Sequence, residues 1–298
     1  MENIYLFMII AIAILAIADL IVGVSNDAIN FLNSAVGSKA ISLRTIMIFA
    51  SLGIFAGAVY SSGLMEVARK GIFIPAMFNF DEIMYIFMAV MITDILLLDF
   101  FNTLGLPTST TVSIVFNLLG AAVVMSLIKI GVSETQTFAD LGEYINTKKA
   151  GQIIKGIFMS VFIAFTVGAI VQWISRLLFT FQIERRVKSF GAVFGAVALT
   201  AITYFIFLKG LKGTPYYKAL KGSIEGNELY IILMSFVAWL IFSYVFQSIT
   251  KKTVLLVVIG VGTFGLALAF AGNDLVNFIG VPMAAYHSYE AWIASGID

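Results

Sequence analysis

Apolar runs of about 20 residues, the length that crosses roughly 30 Å of hydrocarbon, recur along the chain with charged breaks between them. Their limits predict helical spans at 4–24, 46–65, 83–98, 111–130, 153–178, 190–208, 229–247 and 254–270, about eight in all. A last apolar segment, 275–297, is interrupted by Pro282, His287 and Glu290, and is expected to be re-entrant or interfacial rather than a ninth full span. The connections 131–152 and 209–228 mix lysines with acids and carry Gly213, Pro215 and Gly226, which reads as surface loop. The pattern predicts an all-α polytopic membrane protein. It divides into a first repeat at 1–130, connecting helices and loops at 131–228, and the start of a second repeat at 229–298.

Inside this apolar background one polar signature occurs twice, as VSNDAINFL from Val24 and AGNDLVNFI from Ala271. Asn26 aligns with Asn273, Asp27 with Asp274, Asn30 with Asn277 and Phe31 with Phe278. Amides and carboxylates are expensive at membrane depth, so a repeated polar cluster there is by default a site. With eight spans, one cluster ends the first span and the other the eighth, so they approach the membrane from opposite sides. This is the inverted-repeat plan of many solute carriers. Residues three and four apart share a helix face, which directs Asn26, Asp27 and Asn30 to one neighbourhood, and likewise Asn273, Asp274 and Asn277. Gly23, Ser25, Ala271 and Gly272 precede the clusters and allow the backbone to unwind or to approach a second helix closely. Carboxylate and amide oxygens suit an alkali cation or a proton, and an exposed helix N-terminus suits an anion. The plainer alternative is hydrogen bonding between neighbouring helices.

A third polar passage, GLPTSTTVS from Gly105, predicts a helix starting just after Pro107, with Thr108, Ser109, Thr110 and Thr111 in its first turn. Hydroxyls and free backbone N–H groups then converge on the positive end of the helix dipole, an arrangement that binds phosphate or sulfate without a lysine. Ordinary helix capping is the competing reading.

Composition narrows the classes further. The chain is 60% hydrophobic and 12% charged, with a mean hydropathy of +1.01, far from the soluble range. A formal net charge of +1 gives no electrostatic case for nucleic acid as a partner. The absence of cysteine excludes disulfides and thiolate metal sites. The first apolar stretch lacks a basic leader and is read as a retained span. Arg176, Arg185, Arg186 and Lys188, with Lys251 and Lys252, mark one side as cytoplasmic and place the N-terminus outside.

These passages resemble the inorganic phosphate transporter (PiT) family. VSNDAINFLNSAVGSKAISLR is similar to its GANDVAN-type signature, MEVARKGI from Met65 to the segment after its second span, and PTSTT to its PVSTT-type element. AGNDLVNFIGVPMAA is similar to the second GANDVANAIGPLAA repeat. The elements run in the family's order from Asp19 to Tyr286. The resemblance implies a multi-pass cell-membrane symporter of inorganic phosphate, not an enzyme, coupled to sodium or, in some members, to protons, with no cofactor. By position, Asp27, Asn30, Asp274 and Asn277 would serve the cation, and Asn26, Asn273, Ser109, Thr110 and Thr111 the phosphate. The expected partners are phosphate, sodium and the lipid bilayer, with a homo-oligomer left open.

Three departures accompany the likeness. The family's second repeat continues to another Ser/Thr-rich element, whereas this chain ends at Asp298, so half of that repeat is expected to be missing. Ala50 in FASLG stands where the family commonly has glutamate. Val112 stands where histidine is frequent. Among other polar residues, Asp19 either extends a cation path or pairs with a helix neighbour, and Asp94 and Asp99 either assist a cation or meet water. Lys39 is read as interfacial, His287 as structural or interfacial, and Trp173, Trp239 and Trp292 as lipid-facing or interfacial packing. Proton-coupled phosphate or sulfate transport is the near alternative. A non-transporting receptor or assembly subunit is a different class, as is an intramembrane aspartyl protease built on Asp27 and Asp274, which the missing GxGD context opposes.

Overall fold

The computed structural model describes residues 2–60, 71–180, 183–207, 222 and 226–296. Met65–Lys70 of the MEVARKGI passage, most of the 209–228 connection, and the side chains of Arg185, Lys188 and Asn273 lie outside the described residues. Those described are almost entirely helical: α1 (Glu2–Ser38), α2 (Leu43–Tyr60), α3 (Phe80–Leu104), α4 (Thr110–Val132), the single turn α5 (Leu141–Tyr144), α6 (Thr147–Phe179), α7 (Ile183–Phe205), α8 (Glu228–Thr250), α9 (Leu255–Asn273) and α10 (Leu275–Ser295). Six helical stretches among them are long and apolar enough to cross a membrane, and two shorter apolar helices, Leu43–Val59 and Phe190–Phe205, accompany these. Over its described residues, each apolar run marked from the sequence overlaps one of these helices.

The chain forms two compact units, Met1–Ile29 with Gly63–Met159 and Asn273–Asp298, and Asn30–Ser62 with Ser160–Gly272. In the first unit α3 and α4 form a helical hairpin on which α10 packs, around a core that includes Ile12, Met84, Phe87, Val90, Met91, Leu118 and Val281. Asn79 and Glu82 form a capping box that starts α3, with the Asn79 N–H donating to Glu82 Oε2 at 2.6 Å. Gly105 ends the helix in the left-handed region at φ 68°, where a side chain would be strained. The Leu106 N–H returns to the Phe101 carbonyl at 3.0 Å. Four residues after Gly105, Ser109 caps α4 by accepting from the Val112 N–H at 3.3 Å, so the helix begins where Pro107 predicts.

Two sequence expectations meet a different structure. α1 does not end near Val24 or unwind at Asn26 and Asp27; it runs unbroken to Ser38, because its polar side chains find partners on the α3–α4 turn and the helix need not open to satisfy them. The 131–152 connection is not merely surface loop: Tyr144 is buried, Ile145 pairs with Phe73 in an isolated antiparallel bridge, and Asn146 N donates to the Ile72 carbonyl at 2.9 Å. Within the 275–297 segment, Leu275–Ser295 forms a helix of 21 residues that carries Pro282 inside it. Lys129 fixes the far end of the hairpin, 2.7 Å from Glu82.

In the second unit α7 and α8 pair, with Trp239 Nε1 donating to Thr203 Oγ1 at 2.9 Å. Gly53 and Gly57 on α2 face α9 so closely that a Cβ at Gly57 would lie 2.6 Å from that of Ala271. This is the small-xxx-small contact by which membrane helices approach.

Candidate functional site

The site's polar contacts described below are made within the first unit, between α1, the α3–α4 turn, the N-terminus of α4 and the start of α10. α1 can lie against α10 because Gly23 has no side chain: a Cβ there would run into the Phe278 ring. That contact sets Asn26 and Asp27, one turn further along α1, beside the turn that precedes α4.

Asn26 is 5% exposed and Asp27 3%. The Asn26 amide donates to Asn102 Oδ1 at 2.8 Å and to the Leu106 carbonyl at 3.1 Å, and its oxygen accepts from the Thr108 N–H at 2.8 Å. Asn102 in turn donates to the Val22 carbonyl at 3.0 Å. Both amide hydrogens and the oxygen of Asn26 therefore hold the turn in place. Asn102 is a site residue that the sequence reading missed, and its only signal was an amide in the last turn of an otherwise apolar helix.

The next two positions carry the carboxylates. Thr110 donates its hydroxyl to Asp27 Oδ2 at 3.0 Å, and Thr111 donates to Asp274 Oδ1 at 2.7 Å. Thr111 also accepts from Asn277 Nδ2 at 2.7 Å. Adjacent threonines in the first turn of α4 thus each orient one of the two repeated aspartates, and the two carboxylates lie within electrostatic reach of each other. Asp274 occupies the junction between α9 and α10, so the two signatures differ locally, the first mid-helix and the second at a helix start.

The structure brings together Asn26, Asp27, Thr110, Thr111, Asp274 and Asn277, with Ser109 exposed at the mouth as the α4 cap. Asn30 is exposed and belongs to the second unit. Asp99 is exposed, whereas Asp94 is buried against Ser113 and Asn117 and does not meet water. His287 pairs with Glu290 at 3.0 Å. Chemically, the arrangement sets two oriented carboxylates beside the first N–H groups of a helix, which lack intrahelical partners and carry partial positive charge. Oxygen donors of a kind that suits a cation and N–H donors of a kind that suits an anion share one place.

The sequence profile of the phosphate transporter family matches residues 23–296, which spans this site and nearly the whole chain. The chain belongs to the phosphate transporter family. The family is one of transporters, which weighs against the protease reading, and the six long apolar helices among the described residues make the chain a multi-pass membrane protein. Among curated proteins it is 26% identical over 276 residues to a provisionally named phosphate permease of Pyrococcus abyssi, covering 88% of this chain and 62% of that one. A protein of the same designation from Pyrococcus furiosus is 26% identical over 282 residues, covering 91% and 64%. The chain thus spans about three fifths of the length of these relatives. Among solved structures, one named the sodium-dependent phosphate transporter superposes with a TM-score of 0.66 at 21% identity, covering 98% of this chain and 69% of that one. The likeness establishes a shared fold.

Proposed function

We propose that the chain serves sodium-coupled uptake of inorganic phosphate, with the anion at the N-terminus of α4 and the cations on the paired aspartates. The observation that carries this is the double pairing of Asp27 with Thr110 and Asp274 with Thr111. One helix start orients two carboxylates where its own N–H groups favour an oxyanion. Phosphate near neutral pH carries one to two negative charges, and aspartates without cations would repel it. Cations bound by Asp27 and Asp274, with Asn277, convert that repulsion into attraction. Ser109, Thr110, Thr111 and Asn273 are assigned to the phosphate. Asn26, its amide engaged by the turn, positions them.

Sodium is favoured over the proton by the solved relative, a transporter named for its dependence on sodium. Residues 229–298 are read as the start of the second repeat, bringing in Asp274 and Asn277. The test is phosphate uptake by the protein in proteoliposomes under an imposed sodium gradient. Asp27→Asn and Asp274→Asn should each abolish it while leaving the protein in the membrane. Normal uptake and unchanged sodium dependence in both variants would refute the assignment, and binding without flux would favour the receptor reading.

A further inference from the structure

About 12 Å further along α1 from Asp27, at 1.5 Å per residue, a second carboxylate pair lies inside the first unit. Asp19 of α1 and Asp94 of α3 are both 0% exposed and are close enough to interact electrostatically. Asp94 Oδ1 accepts from Ser113 of α4 and from Asn117 Nδ2 at 2.8 Å. Asn117 also donates to Ser113 Oγ at 3.3 Å. No protein donor reaches Asp94 Oδ2 or either oxygen of Asp19. Three buried carboxyl oxygens therefore have no hydrogen-bond partner among the described residues. The other charged groups of the helices around the pair are engaged or outside. Asp27 holds Thr110, Lys129 holds Glu82, His287 holds Glu290, Asp81 lies in the first turn of α3, and Asp99 is exposed.

Two bare carboxylates side by side out of water are mutually repulsive and individually desolvated, and such a pair persists only when one positive charge is shared between them. We propose that Asp19 and Asp94, supported by Ser113 and Asn117, form a second buried site that binds one monovalent cation, either sodium or a proton. Oxygen-only ligands suit either ion, and a shared proton would make the two groups a single hydrogen-bonded unit. Ser113 lies one turn beyond Thr110 on α4, so the second site continues the polar seam of the first into the hydrocarbon. The site is independent of the phosphate reading, since nothing in it requires the anion.

The test is thermal melting of the purified full chain in detergent, without phosphate. It is carried out in an Asp27→Asn/Asp274→Asn background so that cations bound at the first site make no contribution. The expected result is an upward shift of about 2–4 °C on replacing choline chloride by sodium chloride at fixed alkaline pH, or on acidification without sodium. The first response identifies sodium as the occupant and the second a proton. Adding Asp19→Asn removes the shift, and Asp94→Asn does the same as an independent variant should the first fail to fold. No response beyond that of choline, or an undiminished response in the variants, overturns the proposal. Because no uptake is measured, this result is separable from the fate of the phosphate assignment.

Discussion

Thr111 carries more of the site than its modest chemistry suggests, because one hydroxyl donates to Asp274 and accepts from Asn277. A hydrogen bond to a charged group is worth about 1.5–3 kcal/mol, so Thr111→Val should raise the sodium concentration for half-maximal phosphate uptake about tenfold or more. Thr111→Ser, which keeps the hydroxyl, should stay near the parent; equal uptake kinetics in both variants would remove Thr111 from the cation site. Asn26 separates positioning from binding. Asn26→Ala leaves the Thr108 N–H and the Leu106 carbonyl without their partner, and each protein hydrogen bond lost costs about 0.5–1.5 kcal/mol. The variant should therefore melt at a lower temperature even in the absence of phosphate and sodium. These roles were only partly legible in the sequence. The repeated Asn-Asp pair marked where polar contacts gather, because amides and carboxylates within an apolar run are too costly to keep without a partner or a ligand. Which atoms each would face could not be read, since Asn26 finds its partners 76 to 82 residues away.

At the level of elements, the helix starts were readable and one helix end was not. Pro107 and the Ser-Thr run foretold the start of α4, because a residue without an N–H and a capping hydroxyl act locally. The continuation of α1 through Asn26 and Asp27 was hidden: its polar side chains are satisfied by the α3–α4 turn, and a local reading takes the same residues for a break. That turn is itself set by Gly105, whose φ of 68° disfavours a side chain. Gly105→Ala should lower the stability of the protein by about 1–2 kcal/mol, and the left-handed preference of asparagine should make Gly105→Asn milder. Melting temperatures of the two variants check this, and the reverse order would mean that the turn is not held in the left-handed conformation.

For the whole molecule, the sharpest question is how a site containing two carboxylates chooses between two tetrahedral oxyanions. The α4 N-terminus alone holds phosphate and sulfate about equally well, since both accept from backbone N–H groups. The aspartates make the difference. Near neutral pH phosphate keeps at least one proton and can donate it to a carboxylate, whereas sulfate has none and would set acceptor against acceptor. Thr110 and Thr111 already donate to Asp27 and Asp274, so their hydroxyls are not free to compensate for sulfate. Sites whose buried polar groups are left unpaired by an analogue reject it by factors of about 10⁴–10⁵. Co-bound cations soften that figure here by neutralising the carboxylates. Sulfate in about hundredfold excess should therefore leave most sodium-driven phosphate uptake intact. Arsenate, which retains a proton as phosphate does, should compete effectively under the same conditions. If sulfate competes as well as arsenate, the carboxylates do not touch the anion, and the selectivity must come from some other part of the chain.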